Sequence, residues 1–142
     1  MDFDGFMSQV PSSHKDFAAA VHKELTTAGS KVKFEDKAQG GFASYSNPKT
    51  KKSLFNFYFR KNGFHVRLYP VYDSGRVTLT DFMVSEIDKA SDCKQCSPKC
   101  SKGYDFDLRG KHYFKCRYSA FQFLVTDESK PVILRWVKEE LV

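Results

Sequence analysis

Leu54-Phe-Asn-Phe-Tyr-Phe-Arg-Lys61, then Asn62-Gly63, then Phe64-His-Val-Arg-Leu-Tyr-Pro-Val71 is the stretch that decides the fold. Two aromatic-rich runs alternate apolar with polar residues, and Asn-Gly between them is the strongest short hairpin signature, because both residues tolerate positive φ. Taking Asn62-Gly63 as a two-residue turn fixes a register. Lys61 then faces Phe64, Arg60 faces His65, Phe59 faces Val66, Tyr58 faces Arg67, Phe57 faces Leu68 and Asn56 faces Tyr69. Phe57, Phe59, Val66 and Leu68 form a core face. Asn56, Tyr58, Arg60, His65, Arg67 and Tyr69 form a second face that is cationic and aromatic together.

Upstream, Lys31–Lys37 and Gly41–Ser46 read as two short strands around Gln39-Gly40-Gly41, followed by an Asn47-Pro48-Lys49-Thr50 loop. Before them, Phe17, Ala20, Val21, Leu25 and Ala28 recur at helical spacing and Gly29 ends the run. Ser13 is placed to cap this helix, with Asp16 completing an approximate capping box. His14 and His22, eight apart, read as solvent-facing. Downstream, Val77–Leu79 extends the sheet and Thr80–Ala90 reads as a short helix with Phe82, Met83 and Ile87 inward. Tyr104–Leu108 and Lys111–Tyr118 form a second hairpin around Arg109-Gly110, and Ala120–Val125 is an apolar strand. A last helix starts near Asp127-Glu128 with Pro131 in its first turn, and buries Val132, Ile133, Trp136, Val137 and Leu141.

The expected architecture is α+β: one domain over residues 1–142, an antiparallel sheet built on two hairpins, with the N- and C-terminal helices packed on one face. At 142 residues, 41% hydrophobic and 15% aromatic, the chain is long enough to bury a core and too apolar for disorder. An acidic Met-Asp-Phe-Asp start and the lack of any run of ~18–20 apolar residues point to a cytoplasmic protein with no membrane partner.

All four cysteines, Cys93, Cys96, Cys100 and Cys116, lie in two dozen residues beside the second hairpin. In a reducing compartment such a cluster reads as metal ligands or redox thiols before disulfides. With Arg109-Gly110 as the turn, Asp107 faces His112, Phe106 faces Tyr113 and Gly103 faces Cys116. Cys100 then lies within ~10 Å of Cys116 along the strand. A Cys93-x-x-Cys96 knuckle, a third cysteine and a fourth returned by the hairpin suit structural zinc, with each sulfur ~2.3 Å from the metal. The plainer reading makes Cys116 a small core residue and the others loop thiols. An iron–sulfur cluster and a redox Cys93/Cys96 pair, activated by Lys94, Lys99 and Lys102, are the competing readings. The last of these would make the chain a thiol-redox or small-molecule-processing enzyme. No Walker A loop, Gly-x-Gly-x-x-Gly, His-Glu-x-x-His or Gly-x-Ser-x-Gly occurs, and Asp105 and Asp107 read as solvated carboxylates.

The net charge is +6, and Lys31–Arg76 holds ten Lys/Arg against three Asp/Glu. Tyr58, Arg60, His65, Arg67 and Tyr69 are thus candidate ligand-binding residues. Tyrosines beside arginines on a sheet suit single-stranded nucleic acid, rings stacking on bases and cations tracking phosphates. A small anionic ligand or a homodimer contact would use the same groups. The plainer reading is a solvated face with a Tyr58–Arg67 cation–π pair worth ~0.5–1 kcal/mol.

Met7–Pro11 (Met-Ser-Gln-Val-Pro) before an amphipathic helix, the small-residue strand Gly41–Tyr45 and the Arg-Leu-Tyr-Pro segment Arg67–Pro70 give the first half a layout that resembles the small bacterial YdhG-like proteins. That family is largely of unknown function and includes members described as frataxin-type iron chaperones. The resemblance implies an α+β fold with a sheet partly covered by helices, and the cysteine block departs from its pattern. The function expected is a non-catalytic binding or interaction module held by zinc.

Overall fold

A computed structural model describes residues 1–69, 81–90, 103–108, 110–116 and 121–141. They fall into two compact units, Met1–Thr78 with Phe123–Val142, and Leu79–Gln122.

The first unit is built on a five-stranded antiparallel sheet in the order β1 (Val32–Lys37), β2 (Gly40–Ser46), β3 (Ser53–Arg60), β4 (Gly63–Leu68), β7 (Gln122–Leu124). Helices stand at both ends of the chain: α1 (Phe3–Met7), α2 (Lys15–Thr27) and α4 (Ser129–Glu140). The chain is thus an α+β protein. Alternation along the strands sends Ala43, Tyr45, Phe55, Phe57, Phe64, Val66 and Leu68 to the helical side, where all are buried. Phe57 is the centre of this layer. Its ring lies 5.1 Å from Phe64 and 4.8 Å from Phe55, and it also meets Phe17 of α2 and Phe6 of α1. From α2, Phe17, Ala18, Val21 and Leu25 are buried; from α4, Ile133, Trp136 and Val137.

The central hairpin has its expected faces but a different register. Arg60 pairs with Gly63, Phe59 with Phe64, Tyr58 with His65, Phe57 with Val66 and Asn56 with Arg67. Asn62-Gly63 is therefore not the turn; Lys61-Asn62 is. The cause is conformational: among the described residues of this turn only Gly63 takes positive φ, at +133°, so it acts as the first residue of β4. A Cβ there would also lie 3.2 Å from the Leu124 side chain. The pairing moves by two residues on β4, an even number, so every side chain keeps its face.

Three further expectations need correction. Ser13 does not cap α2: a 3-10 turn at Ser12–His14 runs into the helix, and His14 is the N-cap without a side-chain cap bond. Within α2, Ala18 replaces Ala20 in the buried stripe and Ala28 is exposed. Nor do His14 and His22 face solvent. His22 stacks on Phe3 at 4.0 Å and its Nδ1 lies 2.8 Å from the Tyr45 hydroxyl, while His14 stacks over Phe64.

Helix α1 has no counterpart in the sequence reading, because five residues are too few to show a helical period. Asp2 caps it by accepting from the Gly5 amide at 2.8 Å, and Phe3 and Phe6 reach Phe34. Gln9 accepts the Gly41 amide at 2.7 Å, and a Cβ at Gly41 would sit 2.8 Å from the Phe6 ring. Glycine at that position is what lets α1 close on the sheet.

Burial lowers the pKa of His14, His22 and His65; Lys130 adds to the effect at His14 and Arg60 at His65. A histidine whose folded pKa lies below its unfolded value stabilises the fold above the unfolded pKa, and that stability is lost as pH falls through the folded value. The melting temperature is therefore expected to drop as pH is lowered from about 7 to about 5, below the unfolded histidine pKa of about 6.5. His22→Gln should flatten that drop in a pH series of thermal melts. An unchanged slope would show that His22 does not couple to folding.

The second unit contains α3 (Asp81–Lys89), with Met83 and Ile87 buried as the pattern predicted, and a two-stranded antiparallel sheet of β5 (Gly103–Leu108) and β6 (Lys111–Cys116). This second hairpin forms a ladder of its own. Its register matches the sequence reading throughout: Leu108 with Lys111, Asp107 with His112, Phe106 with Tyr113, Gly103 with Cys116.

Candidate functional site

The hairpins β1–β2 and β3–β4 close the same way. Lys37-Ala38-Gln39-Gly40 and Arg60-Lys61-Asn62-Gly63 each pair a cation with a glycine across a two-residue turn, with φ of +130° and +133° at the glycines. Since β2 and β3 are antiparallel neighbours, both turns lie at one end of the sheet. On the face away from the helices they frame a hollow of about 320 Å³ lined by Lys37, Ala38, Gln39, Gly40, Gly41, Phe42, Tyr58, Phe59, Arg60 and Arg67.

Tyr58 is its floor. The guanidinium of Arg60 stands 5.3 Å from the Tyr58 ring centroid and that of Arg67 5.0 Å, and Phe42 lies at 6.2 Å. Arg67 is the diagonal neighbour of Tyr58, not its direct partner; that place belongs to His65. The His65 ring stacks under Tyr58 at 5.5 Å and its Nε2 is 2.8 Å from Asn62 Oδ1. Burial raises the Tyr58 pKa against the opposing pull of Arg67 and Arg60, so the phenol stays protonated. Lys37 reaches over Phe42 at 5.7 Å and also pairs with Glu35 at 2.7 Å. Glu35 is shared with Lys33, and the two ammoniums hold its carboxyl down to about 2.

Of the five predicted binding residues, Tyr58, Arg60 and Arg67 come together in the hollow. His65 lies behind Tyr58, and Tyr69, which accepts a hydrogen bond from Asn56 at 2.9 Å, stands outside the lining. The solvated-face reading is corrected: exposure is 3% at Asn56, 5% at Tyr58, 9% at His65 and 8% at Arg67; Tyr69 is half-buried and Arg60 is exposed. Lys37 and Phe42 were missed. The alternation of β1 and β2 carries that signal, since Glu35 pairs with Phe42 and Lys37 with Gly40 on the Tyr58 side. What the sequence lacks is a tight turn to fix β2 against β3.

Among the described residues the lining contains no carboxylate, thiol or imidazole. Two guanidiniums stacked on a neutral phenol, beside a half-buried phenylalanine, hold charge and aromatic surface in place but offer no nucleophile with an adjacent base. The chemistry of these groups is complementary to anions and to flat rings.

Cys93, Cys96 and Cys100 lie outside the described residues. Cys116 ends β6, half-buried, opposite Gly103 as its register predicts. Its neighbour Lys115 is 6% exposed and donates to two backbone carbonyls at the end of α3, Ala90 at 3.0 Å and Asp88 at 3.3 Å. This caps the helix C-terminus with a cation. The Asp88 carboxylate accepts from Tyr113 at 2.7 Å and pairs with Lys111 at 3.3 Å. His112 meets Asp107 across the ladder at 2.7 Å.

No family model, no curated protein and no solved structure matches this chain. Among the described residues no helix is long and apolar enough to cross a membrane.

Proposed function

We propose that the protein is a non-catalytic binding module that takes an anionic ligand bearing a flat ring in the hollow between the two turns, with a four-cysteine zinc site stapling its second unit. The observation that carries the binding reading is the pair of guanidiniums, Arg60 and Arg67, held 5.3 and 5.0 Å from one buried tyrosine ring that lines a hollow. Orienting two cations on one ring has an entropic cost that a solvated face avoids, and an anion entering there meets donors already in place.

Support for the staple comes from the ends of the cysteine stretch. Ala90, three residues before Cys93, is tied to Lys115, and Gly103, three residues after Cys100, pairs with Cys116. Both ends thus meet the Lys115–Cys116 dipeptide. Three residues span at most ~10 Å, which is short enough for the thiols to converge on one ion.

AMP, which joins a phosphate to an aromatic base, is the simplest probe. In calorimetry Arg60→Ala is expected to weaken AMP binding roughly tenfold at an unchanged melting temperature, since Arg60 is exposed and a charge-assisted bond contributes about 1.5–3 kcal/mol. Lys23→Ala, on the exposed side of α2, should leave affinity alone. Equal affinities for all three proteins would sink the hollow as the binding site.

A further inference from the structure

The same sheet face carries a second hollow, at the end where β2 turns into β3. Its volume is about 250 Å³, and Lys31, Lys33, Lys51, Ser44 and Ser53 line it together with Val32, Tyr45 and Ser46. Lys33 and Ser44 are direct partners across β1–β2, so they share a face. Among the described residues no acidic side chain lines this hollow. From these residues we infer that it is a phosphate-binding site, independent of any ligand in the first hollow.

Its parts are fixed before a ligand arrives. Lys31 is set by its own backbone: its amide donates to Ser46 Oγ at 2.9 Å, and its carbonyl accepts from the Ser46 amide at 2.9 Å. Lys51 adopts φ +66°, a left-handed conformation that a lysine seldom takes. Asn47 holds it there. Its carbonyl accepts from the Lys51 amide at 2.8 Å, its amide donates to Lys52 at 2.6 Å, and its side chain accepts from Lys49 and Thr50. The Lys51 ammonium is kept on the Pro48 carbonyl at 2.7 Å, a neutral acceptor that leaves its charge uncompensated. Lys33 shares the single Glu35 carboxylate with Lys37, so that trio retains one positive charge.

Lys31 and Lys51, beside a Lys33 that shares its carboxylate with Lys37, leave an excess of positive charge around this hollow that an anion would offset. The hydroxyls of Ser44 and Ser53 make no hydrogen bond within the described residues, so both are able to donate. Point-charge ammoniums with hydroxyl donors match the several oxygens of a phosphate.

The phosphate could belong to a small phosphorylated molecule or to a nucleic-acid strand. Lys31, just before β1, lines the second hollow and Lys37, at the end of β1, lines the first; six residues separate them, about 20 Å at strand rise. A single strand of a few nucleotides could therefore occupy both. The test titrates tripolyphosphate, and separately a short oligothymidylate, into isotope-labelled protein while backbone amides are followed by NMR. Tripolyphosphate is expected to shift the amides of Ser44, Lys51 and Ser53, and the Lys31→Ala/Lys51→Ala double variant to weaken that binding at least tenfold. Both lysines are exposed, and an unchanged melting temperature will show that the variant is folded. If the oligonucleotide binds no tighter than tripolyphosphate, the source is a small phosphorylated molecule. If it binds much tighter, and both Arg60→Ala and the double variant reduce that gain, the source is a strand lying across both hollows. No shift at these amides with either probe, or shifts that survive in the double variant, would overturn the inference. Loss at the first hollow alone would leave it standing.

Discussion

Phe57→Ala is expected to destabilise the protein by about 3–5 kcal/mol, the usual cost of truncating a buried phenylalanine. The ring is 1% exposed at the centre of the sheet and has aromatic neighbours on every side: Phe55 along its strand, Phe64 across the hairpin, Tyr45 on β2, Phe17 on α2 and Phe6 on α1. Its loss removes the transfer term and leaves a void that helices anchored by several other rings cannot collapse to fill. Five elements lose a shared contact, so a large share of a typical 5–15 kcal/mol stability is at stake. Urea denaturation should show the midpoint falling with little change in slope. Phe42→Ala, on the other face and only half-buried, should cost well under half as much. Similar losses at the two positions would mean that the core is not where the rings converge.

The second large effect concerns the cysteines. Protein purified without chelator is expected to be colourless, to carry one equivalent of zinc, and to expose no titratable thiol while native. Structural zinc contributes roughly 10 kcal/mol or more of apparent free energy in small domains, so chelation should unfold the unit Leu79–Gln122. Cys116→Ser should lose the metal. The sheet of the first unit is expected to keep its amide spectrum in both cases, since its core is built from its own rings. A brown protein would indicate an iron–sulfur cluster instead. Four titratable thiols and no metal would end the zinc proposal and return Cys116 to the role of a small strand residue.

Much of the fold is legible in the chain because its signals are local. The aromatic alternation of β3 and β4 requires one buried face, and that face is the one observed. The second hairpin, read from Arg109-Gly110, comes out in register, with Gly110 at φ +80° in the turn. The first hairpin does not, for a conformational reason. Asn62 tolerates positive φ but does not use it, and Gly63 takes that conformation inside the strand. Helix α1 was hidden for another reason: its stability lies in Phe6 on the sheet and Gln9 on Gly41, contacts distant in sequence. His22 looked solvent-facing because the sequence shows helical spacing and does not show that Phe3 and Tyr45 will close around it. Within the site, Tyr58, Arg60 and Arg67 could be found from one hairpin. Lys37 and Phe42 required the pairing of β2 with β3, whose register shifts between Tyr45 and Ser46 and follows no tight turn.

Binding at the hollow between the turns is tested most directly by titrating AMP into isotope-labelled protein and mapping the amides that move. Saturable shifts are expected at Gly40, Gly41, Tyr58, Arg60 and Arg67, weakening as salt is added because screening reduces the pull of the guanidiniums. Shifts scattered over the surface, or none at millimolar AMP in low salt, would contradict the binding proposal.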